Sequence, residues 1–106
     1  MELRVLKYFI TVAQEQSFSK AAKVLNVSQP ALSKQIKDLE DEYQITLFNR
    51  TTRTVSLTEE GRLFKEQAIE ILNLVDRSED YLRNNKNILV EIFILDVVKV
   101  YVIVLL

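Results

Sequence analysis

The chain is predicted to be mostly α, with three short helices, a small β-hairpin and one long helix. Three observations predict this. Gly and Pro occur once each among 106 residues, which leaves little material for the turns of a β-sandwich or barrel. Apolar residues recur at three- and four-residue spacing through residues 3–43 and again through 59–83. The stretch between, residues 49–57, loses that spacing and is rich in β-branched residues and Arg. The length allows one small domain and little more. With 48% hydrophobic and 27% charged residues, a packed core is within reach.

Leu3, Leu6, Phe9, Ile10 and Ala13 lie on one helical face and predict a first amphipathic helix. Residues 14–19 break the pattern. Ser19 is the expected N-cap of a second helix over residues 20–25, packed through Ala21, Ala22 and Leu25. Asn26 and Val27 form a short turn, and Ser28 caps a third helix over residues 29–43. Pro30 sits in its first turn, where a missing N–H costs nothing. On that helix Leu32, Ile36, Leu39 and Tyr43 form a core stripe. Gln29, Ser33 and Lys37 lie on another stripe, flanked by Pro30 and Lys34.

Ile45, Leu47 and Phe48 follow, and residues 49–57 predict a two-stranded wing with its tip near residues 51–53. Thr58 caps the long helix, expected over residues 59–83, with Glu59 and Glu60 placed favourably in its first turn. Phe64, Ala68, Ile71, Val75, Ser78 and Leu82 alternate at four and three residues, the spacing of a coiled-coil seam, and Leu63, Leu72 and Leu74 widen it. Such a seam needs a partner chain or the body of its own domain. Residues 84–87 are polar and end the helix. Residues 88–106 are apolar and β-branched, interrupted by Glu91, Asp96, Lys99 and Tyr101.

Composition narrows the function. The chain has neither Cys nor His, the usual zinc ligands, and imidazole-dependent nucleophilic catalysis is closed to it. An enzyme is therefore not expected, nor a metal or other cofactor. The formal net charge is −1, yet residues 17–37 hold Lys20, Lys23, Lys34 and Lys37 and no acid, and Arg50 and Arg53 stand together in the wing. A local basic face matters more for DNA than the overall sum. The N-terminus carries Glu2, Arg4 and Lys7 and so has no secretory apolar segment; a cytoplasmic location is the expectation.

A helix, a tight turn and a second Ser-capped helix, with small residues at their crossing, form the helix-turn-helix pattern. Its second helix would enter a major groove by its N-terminal end. Gln29 and Ser33 would meet base edges there, and Lys34 and Lys37 bases or phosphate. Helix starts at Ser19 and Ser28 offer N–H groups to phosphate, and Arg50 and Arg53 suit a minor groove. The spacing alone leaves alternatives open. An ordinary helical bundle with solvated lysines fits it as well, and Arg50 can instead pair with Glu59 or Glu60.

The residues resemble a family. From Leu6 to Phe64 the chain is similar to the DNA-binding domain of LysR-type transcriptional regulators. The resemblance is carried by Leu6-x-x-Phe9, Ser17-Phe18-Ser19-x-Ala21-Ala22, Leu25-x-Val27-Ser28-Gln29-Pro30-Ala31-Leu32-Ser33-Lys34-Gln35-Ile36, Leu39-Glu40, Leu47-Phe48-x-Arg50-x-x-Arg53 and Val55-x-Leu57-Thr58-x-x-Gly61, in order and without a gap. It implies a winged helix-turn-helix over residues 1–58 and a linker helix over residues 59–86 that dimerises through Phe64, Ala68, Ile71, Leu72, Val75 and Leu82. It implies double-stranded promoter DNA as the partner. Base contacts then fall at Gln29, Pro30, Ser33 and Lys34, phosphate contacts near Ser17, Lys20 and Ser28, and minor-groove contact at Arg50 and Arg53.

The chain departs from the family in three places. Gln44 stands where Gly is usual at a helix C-terminus; if the backbone there is left-handed, Gln costs ~1 kcal/mol. Tyr43 replaces a common Leu. Members continue into an effector-binding domain whose first strand opens G-x-L-x-I-G, whereas here Val90-Glu91-Ile92-Phe93-Ile94-Leu95 lacks both glycines. Residues 87–106 are thus expected to be an apolar tail, the remnant of that strand followed by unrelated sequence, a truncation or a shifted reading frame, and no small-molecule effector site is expected. As a membrane helix the tail is about the right length, ~20 residues, but Glu91, Asp96 and Lys99 would each cost on the order of 3 kcal/mol near the centre. As an orphan strand it exposes an apolar edge; as an accessory helix or strand it covers the seam. The function expected is sequence-specific DNA binding as a dimer, without inducer control. The alternative is an interaction fragment that pairs with a full-length regulator without binding DNA, or an inactive product.

Overall fold

Helix α1 (Leu3–Glu15) opens the computed structural model, which describes residues 1–51, 54–84 and 86–106. It buries Val5, Leu6, Phe9, Ile10 and Val12, while Leu3 stays exposed. Helix α2 (Phe18–Leu25) starts two residues earlier than the sequence suggests. Its cap is Ser17, whose Oγ accepts the Lys20 N–H at 3.1 Å, so Ser19 lies inside the first turn. Two serines compete locally for the cap, and tertiary packing decides. With Ser17 outside the helix, Phe18 reaches the Phe48 ring, 5.9 Å between centroids.

Helix α3 (Gln29–Tyr43) begins as expected. Ser28 Oγ accepts the Ala31 N–H at 3.2 Å, and Pro30 stands in the first turn. Leu32, Ile36 and Leu39 fill its core stripe, but Tyr43 is exposed and Glu40 is buried in its stead. Both α2 and α3 end on a left-handed residue, Asn26 and Gln44. In each, the next N–H reaches back to a carbonyl five residues earlier, Val27 to Ala22 and Ile45 to Glu40, both at 3.0 Å. These are the bonds that close a helix end on a positive φ.

Strands β1 (Phe48–Arg50) and β2 (Val55–Leu57) form an antiparallel hairpin, pairing Phe48 with Leu57, Asn49 with Ser56 and Arg50 with Val55. At its tip the Thr51 N–H donates to the Thr54 carbonyl at 3.1 Å, and their hydroxyls lie 3.0 Å apart. Helix α4 (Glu59–Asn84) starts at the expected cap. Thr58 Oγ1 accepts the Gly61 N–H at 3.0 Å and donates to the Thr46 carbonyl at 2.6 Å. Gly61 is buried where a Cβ would stand 2.1 Å from the Leu47 carbonyl oxygen, so only glycine lets α4 start against the segment that leads into β1.

The core joins these elements through phenylalanines. Phe9 stacks at a tilt on Phe48 and Phe64, with centroids 5.2 and 4.9 Å apart. Ala68 is fully buried, and Phe64 and Leu72 pack half-buried on the same core.

The chain divides into two compact units, Met1–Leu72 and Asn73–Leu106. The second holds the end of α4 and helix α5 (Lys86–Leu105). The strand expected near residues 90–95 is therefore helical. An α-helix satisfies its own backbone polar groups, whereas a strand needs a neighbour to pair with, and β propensity alone is too weak to override that. Phe93, Leu95, Val100, Tyr101 and Ile103 of α5 are all well exposed. No helix among the described residues is long and apolar enough to cross a membrane.

Candidate nucleic-acid interface

The starts of α2 and α3 and the wing come together around one open concavity of about 280 Å³, lined by Ser17, Ser19, Gln29, Arg50, Thr51 and Thr54 among others. At the start of α2 the Phe18 and Ser19 N–H groups have no intrahelical acceptor; at the start of α3, where Pro30 has no N–H and Ala31 donates to Ser28, that group is the Gln29 N–H. Gln29, Pro30, Lys34 and Lys37 are exposed along α3, and Ser33 is half-buried beside them. Ser19 Oγ donates to Gln29 Oε1 at 3.0 Å, tying the first turn of α2 to the first residue of α3.

The lysines divide into two kinds. Lys34 Nζ pairs with Asp38 Oδ2 at 2.8 Å and Lys37 Nζ with Asp41 Oδ1 at 3.2 Å, both one helical turn along. The hydrogen bond from Lys34 to Asp38, and then the carboxylate's charge, hold the Lys34 pKa above its ordinary value. Lys20 and Lys23 are in no ion pair among the described residues. The acid-free run of residues 17–37 is therefore less basic than it reads, because the acids just beyond it fold back by one turn.

Arg50 is committed elsewhere than expected. Its Nη2 donates to Glu40 Oε1 at 2.8 Å, and its guanidinium lies 5.1 Å from the Phe18 ring centroid. Its partner is neither Glu59 nor Glu60; Glu59 instead pairs with Arg62, whose hydrogen bond and then charge hold the Glu59 pKa below its ordinary value. Glu40 is only 7% exposed, and its second oxygen accepts the Leu47 and Phe48 N–H groups at 2.7 and 3.3 Å. Sequence reasoning gave Glu40 no role. Its position at the edge of the α3 core stripe, with an Arg ten residues on, was the signal available. Arg53 lies outside the described residues.

The expected seam on α4 also divides. Phe64, Ala68 and Leu72 face the core of their own domain. Ile71, Leu74 and Leu82 are exposed, as are Leu63 and Ile69 earlier on the helix, and Val75 is half-buried. A stripe at four and three residues cannot say whether its partner is its own domain or another chain, and here the first half is taken by the domain.

The model for "Bacterial regulatory helix-turn-helix protein, lysR family" matches residues 3–62. The HTH-type transcriptional regulator BudR of Klebsiella aerogenes is 53% identical over 83 residues, which are 78% of this chain and 58% of that protein. BenM of Acinetobacter baylyi, also an HTH-type transcriptional regulator, is 51% identical over 77 residues, 73% of this chain and 25% of that one. The chain thus spans about half of the first relative's length and a quarter of the second's. Among solved structures, the BenM DNA-binding domain in complex with catB site 1 DNA aligns with a TM-score of 0.77 at 46% identity, covering 79% of this chain and 94% of that one. The CbnR DNA-binding domain in its DNA complex aligns at 0.75 and 44%, covering 79% and 97%. The fold is accordingly the winged helix-turn-helix that the sequence predicts, and with more than half of its residues matched by the family model, the chain belongs to the lysR family of bacterial regulatory helix-turn-helix proteins.

Proposed function

We propose that this chain is the duplex-reading part of a cytoplasmic transcription regulator and acts by binding promoter DNA rather than by catalysis. Residues 1–58 form the reading head and α4 (Glu59–Asn84) the linking helix. Helix α3 enters the major groove N-terminal end first and presents Gln29, Pro30 and Ser33 to base edges. Lys34 and Lys37 reach the groove or its phosphates. The helix starts at Ser17 and Ser28, with the backbone N–H of Ser19 and the side chain of Lys20, take flanking phosphates. The wing, with Arg50 in its first strand, lies toward the adjacent minor groove, and the basic Arg53 of the same segment adds charge suited to it.

The observation that carries this reading is the single concavity shared by both capped helix starts, Gln29 and the wing, in a chain similar to DNA-binding domains solved on DNA. Two such heads on a dyad site require a dimer, and the exposed Ile71, Leu74 and Leu82 supply an apolar face for one.

Fluorescence anisotropy on dyad-containing duplexes, repeated across a salt series, tests the reading. Phosphate contacts release counterions, so log Kd should rise steeply with log salt. A flat response, or no preference among duplex sequences, overturns it.

A further inference from the structure

We infer that Ser19 is a positioning residue for DNA reading, acting through Gln29 by holding its carboxamide in one orientation. The inference rests on the DNA-reading proposal above and deepens it. Gln29 is the first residue of α3 and is exposed, so its flexible side chain has no support from a preceding helical turn. Its contact with α2 is the hydroxyl of Ser19, which donates to Oε1 at 3.0 Å.

Ser19 itself stands on a rigid base. On one side Ser17 caps α2 through the Lys20 N–H. Phe18, the residue between them, is held between the Phe48 ring and the Arg50 guanidinium, at 5.9 and 5.1 Å. Arg50 is in turn held by the buried Glu40. A side chain that reads bases needs its rotamer fixed by neighbours that do not themselves move, and this chain of contacts reaches from the core to Gln29.

The hydrogen bond also sets which edge of the amide is offered. It occupies one of the two lone pairs of Oε1. One Nε2 hydrogen lies syn to Oε1, on the shared N/O edge of the amide, free for an acceptor such as a purine N7. The second lone pair of Oε1 remains for an adenine amino group. Without the Ser19 hydroxyl the amide can flip or turn into solvent, and its discrimination between base pairs falls.

The test uses the full chain and a duplex it selects from a random-sequence pool, together with all single-base-pair variants of that duplex. Ser19→Ala should lower discrimination at one base pair by about five- to tenfold, while affinity for an unrelated duplex changes by less than about twofold. Ser19→Thr keeps a hydroxyl and should restore the preference. In a Gln29→Ala background, Ser19→Ala should add nothing. An unchanged melting temperature for Ser19→Ala, expected of an exposed residue, separates the effect from misfolding. Uniform weakening on every duplex, or a further loss in the Gln29→Ala background, would mark the Ser19 hydroxyl as a direct phosphate contact and overturn the inference. Absence of any sequence preference in the parent chain would overturn the DNA-reading proposal itself.

Discussion

Glu40 of α3 and Arg50 of β1 meet at 2.8 Å, joining α3 to the wing through a carboxylate that is almost wholly enclosed. The same carboxylate closes the N–H groups of Leu47 and Phe48, so three donors converge on one side chain. Replacing it leaves two backbone donors unpaired. Arg50, with a side chain 39% exposed, can recover some solvation. Glu40→Ala is expected to cost about 3 kcal/mol in urea denaturation, and Arg50→Ala distinctly less. A loss under about 1 kcal/mol for Glu40→Ala would place the pair in the ordinary surface class.

Gln44 closes α3 at φ 53° and ψ 47°. A side chain in that left-handed region crowds the backbone, and glycine escapes the cost. Gln44→Gly should raise stability by about 1 kcal/mol, seen as a higher urea midpoint with an unchanged slope. Asn26 holds a similar conformation, φ 57°, but asparagine tolerates it, so Asn26→Gly should gain only a few tenths of a kcal/mol. Equal gains at both sites would contradict this account.

Gly61 acts through space rather than through φ. A methyl group there would press on the Leu47 carbonyl oxygen, which already accepts the Thr58 N–H at 3.0 Å. The Leu47 segment and the helix start would have to part. Gly61→Ala is expected to destabilise by about 3 kcal/mol, despite the better helix propensity of alanine. Thermal unfolding followed by circular dichroism measures it, and a stabilised variant would show that the two elements can separate freely.

Helix starts were legible in the sequence wherever one capping residue stood alone. Ser28 before Pro30, and Thr58 before Glu59 and Glu60, open α3 and α4 as read. Ser17 and Ser19 are equal as local caps, and the burial of Phe18 against Phe48 chooses between them. The role of Glu40 depends on partners seven to ten residues away that only the fold assembles. An apolar, β-branched run such as residues 88–106 has no period to distinguish strand from helix, so α5 was not legible. The polar stripe of α3 was legible as a surface, because it stands well apart from the buried Leu32 and Ile36. What the stripe could not reveal is that Lys34 and Lys37 are each held by an acid.

The division of the α4 stripe predicts two opposite outcomes from neighbouring substitutions. Ile71 and Leu74 are exposed, while Ala68 is fully buried in its own domain. Ile71→Glu with Leu74→Glu should turn a dimer into a folded monomer, read by analytical ultracentrifugation with the circular dichroism spectrum retained. Ala68→Leu should instead overpack the core and cost about 1–3 kcal/mol. If the double glutamate variant stays dimeric, the partner face lies elsewhere.

If Lys34 reaches the duplex as proposed, Asp38 competes with DNA for it. Both side chains are well exposed, so the pair adds little to stability, but a phosphate must displace the carboxylate before Lys34 can bind it. Asp38→Asn frees the lysine and removes one negative charge from the approaching face. Affinity for duplex DNA should rise about threefold at low salt, and the gain should shrink as salt screens it. Asp38 raises the Lys34 pKa, first by hydrogen bond and then by charge, so Lys34 stays protonated through the neutral range and its DNA contact should show no pH step there. Removing Asp38 lets that pKa fall back toward its ordinary value, which is still alkaline. Anisotropy titrations of both chains at two salt concentrations decide the matter. An unchanged or weaker affinity for Asp38→Asn would mean that Lys34 does not contact the duplex.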